Sequence, residues 1–174
     1  MAQERKGVIT FKGNPLTLIG PELKAGDKAP DFKVLAKDLS EVTLASSKGK
    51  TRLISVVPSL DTPICELQTK RFNEEASKLP ADVVVLTVSV DLPFAQTRFC
   101  GAQKTDKIIA LSDHREVSFG TAYGVLVKEL RLLARSIFIV GADDKVQYVD
   151  YVKEITTHPD YDKALNSLKA GARA

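Results

Sequence analysis

The apolar run Leu53-Ile-Ser-Val-Val57, closed by Pro58 and followed closely by Thr62-Pro63, constrains this chain more than any other stretch. The run has the length and β-branched content of a buried strand. Thr62 is a good helix N-cap, and Pro63 suits the first helical position. A strand therefore passes through a short loop into a helix. A second apolar run, Val83 to Val90, follows that helix and reads as a central strand covered on both faces. Strand, helix, strand makes a βαβ unit, expected to be right-handed.

This arrangement puts Cys65 in the first turn of the helix, third after the cap. Backbone N–H groups there lack intrahelical partners, and the helix dipole adds partial positive charge. A thiolate is stabilised in such a place, and the thiolate is the reactive species. The plain alternative is a small buried apolar residue, which is what most free cysteines are.

The rest of the chain reads in order. Val8–Lys12 and Pro15–Ile19 flank Gly13-Asn14, a β-hairpin with a Gly-Asn turn. Phe32–Ala36 and Val42–Leu44 are short strands joined by Lys37-Asp-Leu-Ser. The helix after Thr62 carries Ile64, Leu67, Phe72, Ala76 and Leu79 near one face and ends near Pro80. Asp91 is an N-cap candidate for a short helix holding Cys100 at or near its end. Lys107–Leu111 is a strand, and Ser112 can cap a helix that stops at Gly124. Arg135–Val140 and Val146–Val152 are strands joined by the turn Gly141-Ala-Asp-Asp-Lys. Pro159–Ala170 is a closing amphipathic helix with Tyr161, Ala164, Leu165 and Leu168 inward and Gly171 as its stop.

The 174 residues suit one domain, spanning 1–174, with the hairpin at 8–19 as an extension. A net charge of +3, from 25 basic and 22 acidic residues, implies neither a nucleic-acid partner nor an anionic membrane surface. No apolar run approaches the ~20 residues that span a bilayer. The polar start, Met1 to Gly7, does not resemble a secretory leader, so a cytoplasmic protein is expected.

The two cysteines allow three readings: a structural disulfide, two unrelated buried thiols, or a catalytic pair that bonds transiently. The first suits small secreted domains, and the last is what cytosolic disulfides usually are. There is no Cys-x-x-Cys. His114 and His158 lie far apart and away from cysteine at ligand spacing, so no metal is expected and both are left as surface residues. Arg135 interrupts the apolar run Leu132–Val140. It is either exposed at a strand start or buried against an anion, because an unpaired buried charge is costly.

Pro58, Thr62 and Cys65 fill the pattern Pro-x-x-x-Thr-x-x-Cys. The chain thereby resembles the peroxiredoxins. Asp91-Leu-Pro-Phe-Ala-Gln-Thr-Arg-Phe-Cys100 is similar to the segment that carries the resolving cysteine in their atypical two-cysteine, thiol peroxidase subfamily. Ala36–Ser40, Ala134–Ser136 and Glu154–Tyr161 resemble further segments of that subfamily, and the likeness runs from about Thr10 to the last helix.

The resemblance implies a thioredoxin-like α/β fold: a mixed central sheet flanked by helices, with an N-terminal hairpin. It implies a peroxidase acting on hydrogen peroxide and organic hydroperoxides, without a cofactor, recycled by thioredoxin and assembled as a homodimer. Cys65 would be the peroxidatic and Cys100 the resolving cysteine, joined in a transient disulfide. Arg135 would lie against Cys65 and hold a peroxide oxygen. Thr62 would bond the hydroperoxide as well as cap the helix, and Pro58 would wall the pocket as well as end the strand. A disulfide needs Cα atoms about 5.5–6 Å apart, so both cysteine segments are expected to unwind locally on oxidation. A redox sensor with little turnover would share the first step. A non-catalytic scaffold is disfavoured, because all five residues occur together.

Overall fold

A computed structural model describes residues 2–171. In chain order its strands and α-helices are β1 (Glu4–Phe11), β2 (Asn14–Ile19), β3 (Lys33–Leu35), β4 (Glu41–Thr43), β5 (Thr51–Val56), α1 (Pro63–Ala76), β6 (Val83–Ser89), α2 (Pro93–Gln103), β7 (Ile109–Ser112), α3 (Ser118–Ala122), β8 (Leu126–Val127), β9 (Ser136–Val140), β10 (Val146–Tyr151) and α4 (Tyr161–Gly171). The two apolar runs become β5 and β6, paired in parallel with Leu53 opposite Val85. They lie inside a seven-stranded sheet of order β10-β9-β5-β6-β7-β3-β4, in which β9 runs antiparallel to β5. The fold is thus the expected mixed sheet flanked by helices.

The period-two alternation of strand side chains divides two cores between the faces of this sheet. Ile54, Val56, Leu86, Val88, Phe138 and Val140 point to one face and pack with Phe119 of α3 and with Ile9 and Leu18 of the N-terminal strands. Leu53, Val85, Ile137 and Ile139 point to the other and pack with Phe72 of α1, Cys100 of α2 and Leu165 of α4. Each fully buried side chain of this size contributes about 1.5–3 kcal/mol.

β1 and β2 form the expected hairpin, but Phe11 pairs with Asn14, so the turn is Lys12-Gly13. Both residues have positive φ, 50° and 81°. That is the backbone a two-residue hairpin turn demands, and it moves Asn14 into the strand. β2 then pairs with β8, giving a separate three-stranded sheet. Gly20 and Gly124 (φ 107° and 66°) let the hairpin's end and the chain after α3 touch backbone to backbone. Among the described residues no helix is long and apolar enough to cross a membrane.

Candidate active site

The N-terminus of α1 follows β5 through a buried link, Val57 and Pro58. Thr62 holds the N-cap position in extended conformation (φ −136°, ψ 148°), with Pro63 beginning the helix. Its side chain makes no capping bond. The Thr62 hydroxyl instead donates to the Ser59 carbonyl at 3.2 Å, which corrects the expected cap. The first-turn amides are therefore not occupied by the Thr62 oxygen. Glu66 N–H is already helical, bonding the Thr62 carbonyl.

Cys65 is 0% exposed and Arg135 only 2%. The guanidinium Nη2 donates to Cys65 Sγ at 3.4 Å, Nη1 to Gln68 Oε1 at 2.8 Å, and Nε to the Ile155 carbonyl at 2.9 Å. Gln68 in turn donates from Nε2 to Ser55 Oγ at 2.8 Å. A buried chain of polar contacts thus ties β5, α1 and the start of β9 around one sulfur. Gln68 was not singled out in the sequence. Its signal was spacing, three residues after Cys65 and on the same helical face.

A cavity of about 270 Å³ opens beside these groups, lined by Pro58, Ser59, Thr62, Pro63 and Ile64 on one side and Phe11, Leu130, Leu132 and Ile155 on the other, with Arg135 reaching it. The lining is almost wholly apolar: Ser59, Thr62, Arg135 and Thr156 border the cavity but turn almost no polar surface into it. Such a cavity can receive a small apolar group beside Arg135, whose guanidinium bonds the Cys65 sulfur, while Cys65 itself is buried behind the lining.

Pro58, Thr62, Cys65 and Arg135 therefore meet, and Cys100 does not join them. Cys100 sits on α2, 7% exposed, in the core cluster with Phe72 and Ile108, whereas Cys65 packs with Val57 and Leu60. Phe99 touches both clusters, and both thiols are free. Asp91 is not the cap of α2; Leu92 takes that position. The Asp91 carboxylate instead accepts from Ser59 Oγ and Leu60 N–H, both at 2.8 Å. His158 is exposed beside Tyr161, while His114 is half-buried against Ser112 Oγ. Among the described residues no three potential ligands gather to hold a metal ion.

Residues 24–165 match the Redoxin family. The thiol peroxidase of Halalkalibacterium halodurans is 63% identical over 162 residues, covering 93% of this chain and 97% of that protein. The chain belongs to the redoxin family, as a peroxiredoxin of the thiol peroxidase type. The thiol peroxidase of Bacillus subtilis is 59% identical to this peroxiredoxin over 162 residues, covering 93% and 96% of the two chains. A crystal structure of a peroxiredoxin-like protein from Aquifex aeolicus superposes with a TM-score of 0.88 at 45% identity, covering 94% of this chain and 96% of that one. A thiol peroxidase from Chromobacterium violaceum shares the fold at a TM-score of 0.84 and 22% identity, over 95% and 97% of the two chains.

Proposed function

We propose that this peroxiredoxin reduces hydrogen peroxide and organic hydroperoxides through Cys65, with Cys100 as the resolving thiol and thioredoxin as the source of electrons. The observation that carries the reading is Arg135 Nη2 at 3.4 Å from Cys65 Sγ, in a buried setting where a cation needs an anion. The Cys65 thiolate attacks one oxygen of the hydroperoxide, and the O–O bond breaks. The other oxygen leaves with the bonding pair, takes a proton and departs as water or alcohol. Arg135, the first-turn amides and the Thr62 hydroxyl, once it turns from the Ser59 carbonyl, stabilise the charge that develops on it. Pro58 keeps solvent from the sulfur.

Cys65 is now a sulfenic acid, oxidised by two electrons. The Cys100 sulfur attacks it, the S–S bond forms and hydroxide leaves as water. A thioredoxin dithiol returns two electrons by exchange and regenerates both thiols. The apolar walls of the cavity favour hydroperoxides that carry an alkyl group. We place this cycle in the cytoplasm, in a homodimer, and sedimentation checks the latter.

The test uses thioredoxin oxidation with hydrogen peroxide and cumene hydroperoxide. Cys65→Ser is expected to abolish peroxide consumption. Cys100→Ser is expected to keep one round of oxidation, lose turnover with thioredoxin and accumulate Cys65 sulfinate by mass spectrometry. Normal turnover by Cys100→Ser would remove the resolving role.

A further inference from the structure

Asp91 lies in the short junction between β6 and α2, opposite the loop that leads into α1. One carboxylate oxygen accepts from Ser59 Oγ at 2.8 Å. The other accepts from Leu60 N–H at 2.8 Å and from Ser89 Oγ at 2.7 Å. Ser89 Oγ also accepts from Gln96 Nε2 of α2 at 3.1 Å, and the Asp91 carbonyl accepts from Ser112 Oγ. Hydrogen bonds to a carboxylate are roughly twice as strong as neutral ones. One side chain thus fastens the Cys65 loop to the end of β6 and, through Ser89, to the helix that holds Cys100.

Side-chain packing between the loop and α2 is carried mainly by Phe99, which touches the cluster of Leu60 and Cys65. Between the loop and α2 lies a cavity of about 430 Å³, lined by Leu60, Asp61, Asp91, Ala95, Arg98 and Phe99 among others. Next to it Leu92 and Phe94 stand 52% and 68% exposed. With an open pocket along it, the joint draws its alignment from these polar bonds as well as from Phe99.

Leu60, which Asp91 holds, and Phe99, which lines the same pocket, are the residues that oxidation is expected to disturb. Leu60 gives its N–H to Asp91 and its side chain to the cluster around Cys65. Phe99 packs against that cluster and against the one holding Cys100. The two cysteines pack in different clusters, so bringing their Cα atoms to within about 6 Å is expected to displace both residues.

We propose that Asp91 is a positioning residue, a latch that holds the Cys65 loop against the start of α2 in the dithiol form and releases it when the Cys65–Cys100 disulfide forms. This rests on the resolving role given to Cys100 above. A contact present in one redox form favours that form, so the latch opposes the disulfide. Its removal shifts the equilibrium towards the disulfide and shortens the life of the Cys65 sulfenic acid.

The experiment equilibrates the protein with mixtures of reduced and oxidised dithiothreitol, which exchange two electrons and two protons with the cysteine pair, and counts thiols by alkylation and mass spectrometry. Asp91→Asn is expected to favour the disulfide about tenfold, a potential about 30 mV more negative. It is also expected to need several times more peroxide for half-conversion of Cys65 to sulfinate. Ser59→Ala, which removes a single bond of the latch, moves both readouts in the same direction by less, and serves alone should Asp91→Asn not fold. Asp144→Asn breaks the remote ion pair with Arg52 and is expected to leave the potential where it was. An unchanged or less negative potential in the latch variants overturns the proposal, as does an equal shift in Asp144→Asn. Absence of any Cys65–Cys100 disulfide in the oxidised wild type instead overturns the functional reading, before a variant is made, and the latch falls with it.

Discussion

Arg135 gives its three donor nitrogens to three partners: the Ile155 carbonyl, Gln68 and the Cys65 sulfur. The first two aim the third. Removing the guanidinium with Arg135→Ala is expected to slow the first oxidation by about 10²–10³, the scale of one lost donor to developing charge. Gln68→Leu leaves Nη1 of a buried cation unpaired, at a cost of about 1–3 kcal/mol in stability. It also frees the guanidinium to turn, so kcat/KM is expected to fall about tenfold or more. The double variant should be little slower than Arg135→Ala alone, because residues in one network do not act additively. Stopped-flow kinetics of the first step and chemical denaturation read both effects. At this scale Pro58, Thr62, Cys65 and Arg135 were legible because each stands in a contiguous motif or breaks an apolar run. Gln68 and Asp91 were not, since a glutamine on a helix and an aspartate before one are ordinary until the fold brings partners to them. The Gln68 partner is 67 positions away.

Helix α1 shows how a reactive site bends the usual pattern of an element. The sequence points Ile64 and Leu67 inward, yet Leu67 is 53% exposed, while Cys65, Gln68, Thr69 and Phe72 are buried. The helix is rotated so that its polar side chains serve the sulfur, which hydrophobic periodicity cannot foresee. The N-terminal hairpin is held by another polar device. Glu154 accepts from Thr10 Oγ1 at 2.6 Å and from the turn amides of Lys12 and Gly13 at 3.0 and 3.1 Å. The Thr10 hydroxyl first, then the Thr156 hydroxyl and the turn amides, lower its pKa from 4.5 to about 2. The folded value lies below the unfolded one, so this contribution is present above about pH 4.5 and is lost as pH falls towards 2. Glu154→Gln is expected to remove that acid dependence and to speed amide exchange at Lys12 and Gly13 at neutral pH, measured by hydrogen–deuterium exchange.

The molecule as a whole rests on two cores sharing one sheet, and one charge sits where the first core meets α3. Asp113 is 1% exposed and accepts from the amides of Phe119 and Gly120. Burial outweighs those bonds and raises its pKa from 3.8 to about 6. The folded form therefore holds its proton more tightly than the unfolded chain. This contribution is full below about pH 3.8 and disappears as pH rises through 6, a loss of up to about 3 kcal/mol. Asp113→Asn is expected to flatten stability between pH 4 and 6, whatever its effect on the absolute value, in denaturant titrations across that range. The two cores were legible as apolar runs, and the parallel β5-α1-β6 unit followed from their spacing. The sheet order and the β2–β8 pairing were not. β8 is two residues long, and its partners Leu18 and Ile19 are remote in sequence, so nothing local marks it. The far end of the hairpin is seated otherwise: Thr10 N–H donates to the Lys153 carbonyl at 2.6 Å and Ile155 N–H to the Thr10 carbonyl at 2.9 Å, and Phe11 then forms part of the wall of the cavity that Arg135 reaches. Phe11 precedes residue 24, where the match to the redoxin family begins, so this wall and the Cys65–Arg135 pair belong to separate stretches of the chain.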